Sequence, residues 1–266
     1  MRLTMLGTGF AQATEVYNTC FVIEDEGKHL LVDGGGGSRV LSRLKEAGYR
    51  WQDMRDIIVT HKHIDHLLGI IWMLRMMLQG MSRGQYDGEV RLYAHGEVIG
   101  LLRQLSGLLL EPKETAFLDE KFHLIEVQDG ETVDIIGHPV TFFDIGSTKA
   151  KQYGFSLQMN GEEHLCCCGD EPFNEREERY ARGAKWLLHE AFCLYSQRDI
   201  YNPYKKSHST VKDACELADR LGADNLILYH TEDDNILRRK ELYLEEGRQY
   251  YSRNLLIPED LETIEL

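Results

Sequence analysis

Residues 60–66 read Thr60-His61-Lys62-His63-Ile64-Asp65-His66, which packs three imidazoles and a carboxylate into positions 61–66. The apolar run Ile57-Ile58-Val59 leads into this cluster, and Leu67-Leu68-Gly69-Ile70-Ile71-Trp72 leads out with a helical pattern. A strand that ends in such a cluster aims several ligands at one spot while the backbone turns. Neutral imidazole suits zinc, iron and other first-row metals, and a carboxylate can join or bridge them. A lone histidine in a turn carries no such meaning; four ligand groups at this spacing do. The cluster therefore demands a fold that delivers a strand end to a metal centre.

The rest of the chain supplies further strand ends of the same kind. Leu30-Leu31-Val32 runs into Asp33-Gly34, Leu165-Cys166-Cys167-Cys168-Gly169 into Asp170, and Leu226-Ile227-Leu228-Tyr229 into His230. Strand ends are where a rigid scaffold presents functional groups. Between them the pattern is β-rich at first. Helices are predicted over 38–47, 67–78 and 97–110, then strands from 123 to 168, then alternating helices and strands. The later helices are predicted over 175–182, 210–221 and 235–251. With 266 residues the chain can bury a full core. Two mixed sheets with helices on their outer faces, in one domain spanning 1–266, are expected.

No run approaches the roughly 20 apolar residues that cross a bilayer. The start, Met1-Arg2-Leu3-Thr4, turns polar too quickly for a signal peptide, so a cytoplasmic protein is expected. The six cysteines include the triplet Cys166-Cys167-Cys168 and form no C-x-x-C pair. They read as reduced, buried strand residues. A net charge of −14 argues against broad nucleic-acid binding, which depends on neutralising phosphates with Lys and Arg. A small anionic substrate remains compatible, because bound cations dominate the field inside a cleft.

In this order the motifs resemble the metallo-β-lactamase superfamily, and within it the ribonuclease Z-like branch. Thr60–His66 resembles its metal signature, and Leu6-Gly7-Thr8-Gly9 with Asn18 and Asp33-Gly34-Gly35 its opening. Gly169-Asp170 is similar to its bridging aspartate, His189-Glu190-Ala191 and His208-Ser209-Thr210 to two motifs of the branch, and Tyr229-His230 to its last metal histidine. The resemblance implies a four-layer αβ/βα sandwich of α/β class. It implies two divalent ions, zinc first with manganese or iron as alternatives. His61, His63 and Asp170 would hold one, and Asp65, His66, Asp170 and His230 the other, with a metal-bound hydroxide as nucleophile. It also implies that Asp65 orients that nucleophile, that Glu190 with His208 protonates the leaving oxygen, and that Asp33 fixes ligand histidines from behind.

Two departures bear on function. Where the family carries a further metal histidine, this chain has Ser147 or Thr148, so the His61–His63 site is expected to be the weaker. Ribonuclease Z proper carries a long tRNA-gripping arm before the bridging aspartate; about fifteen residues separate Phe155 from Asp170 here. The expected function is a metal-dependent hydrolase, foremost a phosphodiesterase on a small or short nucleotide-like phosphodiester. The alternatives are a ribonuclease Z-type tRNA 3′ endonuclease, a thioester or lactone hydrolase, and a non-catalytic metal-binding protein. His29, His95, His123, His138 and His164 read as isolated surface or core residues. The charged run 175–182 reads as a solvated helix face. The Met73, Met76, Met77, Leu78 and Met81 helix reads as core, with a homodimer surface as the alternative.

Overall fold

A computed structural model describes residues 1–266. The chain divides into two compact units. The first comprises 1–7, 17–128 and 261–266, and the second 8–16 and 129–260. Each holds one mixed seven-stranded sheet and its own helices, the αβ and βα halves expected from the sequence.

The first sheet is built from β1 (Arg2–Gly7), β2 (Cys20–Asp25), β3 (Lys28–Val32), β4 (Asp56–Ile58), β5 (Val90–Ala94) and β6 (Phe122–Glu126). The first three run antiparallel, and β3 to β6 run parallel. Parallel neighbours need crossovers. These are α1 (Arg39–Glu46), α2 (Ile64–Ser82), α3 (Gly96–Leu109) and the short α4 (Pro112–Thr115). The core lies between sheet and helices: Leu31, Ile57 and Leu92 cluster with Ile70, Met73, Leu74 and Met77, all fully buried. The methionine-rich helix is therefore core on that face. Ile64 and Trp72 of the same helix stay exposed.

The second sheet repeats the plan. β7 (Thr132–Ile135), β8 (His138–Asp144), β9 (Tyr153–Gln158) and β10 (His164–Cys167) form an antiparallel meander. β11 (Trp186–Glu190), β12 (Asn225–Tyr229) and β13 (Asn254–Leu256) then continue parallel to β10. The crossovers are α5 (Glu178–Ala181), α6 (Arg198–Tyr201) with α7 (Val211–Leu221), and α8 (Arg239–Gly247). Leu187, Leu226 and Leu228 pack with Val211, Ala214 and Tyr243. A last strand, β14 (Thr263–Glu265), pairs with β1 in the first sheet.

Several elements differ from the sequence expectation. The 235–251 helix is shorter because Asn235 is captured in a turn, its backbone N–H and Nδ2 both bonded to the buried Glu232. The 175–182 run is a 3₁₀ turn followed by the short α5, and Glu177 within it is fully buried rather than solvated. β9 and β10 are joined by a turn over 159–163 and pair as a hairpin. All six cysteines are free and buried. Contact with Cys166 and burial push the Cys168 thiol well above its usual range, which suits an inert core residue. No helix is long and apolar enough to cross a membrane.

Candidate functional site

In the first unit, β3 and β4 end side by side and deliver Asp33 and the 61–66 segment. Asp33 takes a left-handed backbone, φ 58°, unusual for a residue with a side chain, and is 3% exposed. Its Oδ1 accepts the Thr60 backbone N–H at 2.8 Å, and its Oδ2 accepts the Thr60 hydroxyl at 2.7 Å. His66 Nδ1 lies 2.7 Å from the same Oδ2. A carboxylate only accepts, so Nδ1 of His66 carries the proton and Nε2 carries the lone pair. The Thr60 hydroxyl, its proton committed to Asp33, accepts from His61 Nδ1 at 2.9 Å. His61 is thereby held in the same tautomer, and its Nε2 sits 2.8 Å from His63 Nδ1. Asp65 Oδ2 is 3.4 Å from His66 Nε2.

Helix α2 sets these side chains. His63 is its N-cap, and Asp65 falls in the first turn, where a carboxylate opposes the positive end of the helix dipole. The helix is pinned to the Asp33-Gly34-Gly35 turn by Gly34 N–H to His66 O and Gly69 N–H to Gly35 O, both 2.9 Å. A Cβ at Gly69 would lie 1.8 Å from Gly34 O, so both glycines are required by the close approach.

In the second unit, functional groups sit at the C-terminal ends of parallel strands, the usual place for ligands in open α/β sheets. Asp170 follows β10 and is 4% exposed. Gln152 Nε2 donates to its Oδ1 at 2.7 Å, and its Oδ2 lies 3.4 Å from His230 Nε2. His230 follows β12 in a left-handed conformation, φ 56°. The chain beyond it is clamped: Thr231 N–H bonds Thr8 O and Phe10 N–H bonds Thr231 O, each at 3.0 Å. Arg239, also buried, ties Thr8 and Thr231 through their hydroxyls at 3.0 and 2.8 Å.

Glu190 ends β11 and is fully buried. Its Oε1 accepts the Ser209 backbone N–H. Its Oε2 lies 3.6 Å from His208 Nδ1, longer than a hydrogen bond but within ion-pair reach. The His208 loop is anchored by Thr210, which caps α7 in a reciprocal box with Asp213. The His208 ring packs 5.2 Å from both Phe192 and His230. Glu190, His208 and His230 can offer ligand atoms within 4.8 Å of one another. Burial alone disfavours a charged His208, but the Glu190 carboxylate outweighs it with help from Asp170, and the His208 pKa is raised. His189 of the same motif is buried with its Nδ1 on Glu190 O, and burial lowers its pKa.

The donor chemistry fits divalent cations. Asp33 and Thr60 lock the His66 and His61 rings with their Nε2 lone pairs turned away from the locking group, and such outer partners are of the type that orients metal-binding histidines. Thr148 is exposed. The histidines read as isolated lie outside the clusters of candidate metal ligands. His29 meets Glu24 and His138 meets Gln158 O. Thr60 and Gln152 are the site neighbours that sequence reasoning missed. Thr60 stood in the motif unassigned, and nothing near Gln152 in sequence marks it.

The chain matches known proteins in sequence and in fold. Residues 1–245 match the family model described as anti-Pycsar protein Apyc1. A ribonuclease Z of Nitrosopumilus maritimus is 40% identical, the match covering 86% of this chain and 89% of the relative. The fold matches that of the metallo-β-lactamase fold protein YhfI from Bacillus subtilis, with TM-score 0.80, 18% identity, and 99% and 98% of the two chains covered. It also matches the short form of human tRNase Z, with TM-score 0.75, 21% identity, and 100% and 99% covered. The chain therefore belongs to the anti-Pycsar protein Apyc1 family, as a metal-dependent hydrolase of the ribonuclease Z-like branch of the metallo-β-lactamase superfamily.

Proposed function

We propose that this protein hydrolyses a small or short nucleotide-like phosphodiester with two divalent cations. The resemblance assigns Asp65, His66, Asp170 and His230 to one ion and His61, His63 and Asp170 to the other. Such a pair of ions supplies Lewis acidity and a nucleophile at neutral pH.

The observation that carries the phosphodiester reading is the buried Glu190 beside His208. Expelling an alkoxide requires a proton, and an imidazole held by a carboxylate is a ready donor. With Nδ1 facing Glu190, Nε2 is the nitrogen left to carry the proton to the leaving oxygen. Glu190 is oriented by the Ser209 N–H, which its Oε1 accepts. Asp33 and Thr60 keep His66 and His61 in one tautomer each. Asp65, in the first turn of α2, would orient the attacking group.

The test is to measure metal content of protein purified without chelators, then to assay phosphodiesters, phosphomonoesters, thioesters and lactones. His208→Ala should lose roughly 10²–10⁴-fold on alkyl phosphodiesters and far less on nitrophenyl esters, whose leaving group needs no proton. Equal losses on both would assign His208 to binding or structure. The second reading, tRNA 3′ processing, is favoured by the names of the ribonuclease Z relatives. Against it stand the −14 net charge and the short turn between β9 and β10. Nanomolar, strongly salt-dependent binding of precursor tRNA with clean 3′ cleavage would replace the small-substrate reading.

A further inference from the structure

Gln152 lies just before β9 and is 1% exposed. Its Nε2 donates to Asp170 Oδ1 at 2.7 Å. Because the carboxylate can only accept, this bond fixes which end of the amide is nitrogen. The other end, Oε1, is buried and has no hydrogen-bond partner in the protein. A carbonyl oxygen kept dry and unmet is costly, so such an atom asks for a ligand. The space around the amide is built in as well. Gly169, with φ +80°, has no side chain there, and a Cβ on it would come within 2.8 Å of Gln152 Nε2 and 3.1 Å of Cδ.

Four residues earlier in the chain, Thr148 stands where the superfamily resemblance expects a metal histidine, and it is exposed. We infer that Gln152 takes over that role by different chemistry: its nitrogen holds Asp170, and its carbonyl oxygen is a neutral donor to the divalent cation that the resemblance assigns to Asp170 with His61 and His63. This rests on the two-cation reading above. An amide oxygen is a harder ligand than imidazole and suits manganese or magnesium relatively better than zinc. The site it completes is therefore weaker for zinc than the Asp65–His66–His230 site and less selective for it.

Full-length wild type, Gln152→Leu and Gln152→Glu are loaded with metal and titrated against a chelator, counting ions per chain. The same three proteins loaded with cobalt(II) are compared by visible absorption, which reports coordination number. Wild type should hold two ions of unequal affinity. Q152L should keep the tighter ion and bind the second about 10–100-fold more weakly, the size of effect known for lost supporting groups, with a stronger cobalt band of lower coordination. Q152E keeps an oxygen ligand but sets a second carboxylate against Asp170. It should unfold at lower temperature as apo-protein, recover with metal, and retain the second ion. If Q152L holds both ions as tightly as wild type with an unchanged cobalt spectrum, the inference is overturned. Equal loss of the second ion in Q152L and Q152E would overturn ligation by Oε1, because only the Nε2 contact is common to both losses. Wild type that binds no divalent ion would instead sink the two-cation reading itself, and the inference with it.

Discussion

At the scale of single residues, Asp33 governs two imidazoles, His66 directly and His61 through the Thr60 hydroxyl. This relay consumes both Nδ1 protons and turns both Nε2 lone pairs away from Asp33 and Thr60, as metal ligation would require. Thr60→Val keeps the shape of the side chain and deletes only the middle of the relay. The Thr60 backbone bond to Asp33 survives, so the fold should hold, while His61 becomes able to turn or switch tautomer. Metal affinity at the His61–His63 site should fall by about 10–100-fold, read by chelator competition, with the melting temperature of the apo-protein nearly unchanged. Unaltered affinity would show that the hydroxyl is incidental.

At the scale of elements, the contact between helix α2 and the turn after β3 sets the position of the 61–66 cluster. Gly69 meets Gly34 backbone to backbone. Alanine is ordinarily the better helix former by about 1 kcal/mol, yet Gly69→Ala drives a Cβ into a carbonyl oxygen. It should destabilise by about 1–3 kcal/mol or more, as overpacking does, and displace Asp65 and His66. Gly100, in the exposed middle of α3, has nothing within 4 Å of an added Cβ. There the same substitution should stabilise by about 0.5–1 kcal/mol. Urea denaturation of the two variants gives opposite signs if the helix–turn contact, rather than propensity, controls α2.

At the scale of the whole molecule, stability carries a pH dependence written by Glu177. Burial raises its pKa from 4.5 to about 8, partly offset by the Asn174 N–H and Cys168. Below about pH 4.5 the group is protonated in both the folded and the unfolded chain. Between there and about pH 8 the unfolded chain releases its proton while the folded one keeps it. Stability is therefore lost as pH rises, by up to about 1.4 kcal/mol per unit, and the loss levels off above the folded pKa. Glu177→Gln removes this linkage. Its unfolding free energy relative to wild type should climb steadily from pH 5 to pH 8; a difference that stays flat across that range would place the buried carboxylate elsewhere on the titration scale.

The order of strands and helices, and the chemistry at strand ends, could be read directly from the chain. Hydrophobic period, glycine turns and ligand spacing are local properties, so the cluster at 61–66, Asp33, Asp170 and His230 stood out without coordinates, while Glu190 and His208 came from the family resemblance of their motifs. Relations across register could not be read in this way. The bond from Thr60 to Asp33 spans 27 residues and that from Gln152 to Asp170 spans 18; each depends on how two strands pair and where a turn lets them end. The left-handed backbones of Asp33 and His230 are likewise imposed by the segments that clamp them. Burial of Glu177 contradicts its charged neighbourhood because its 3₁₀ turn carries that one carboxylate inward, beside the Cys166–Cys168 strand end. Sequence thus determined which groups stand at strand ends and in the motifs expected to carry the chemistry, while tertiary structure decided which atoms hold them, because tautomer, burial and close approach are properties of neighbours in space.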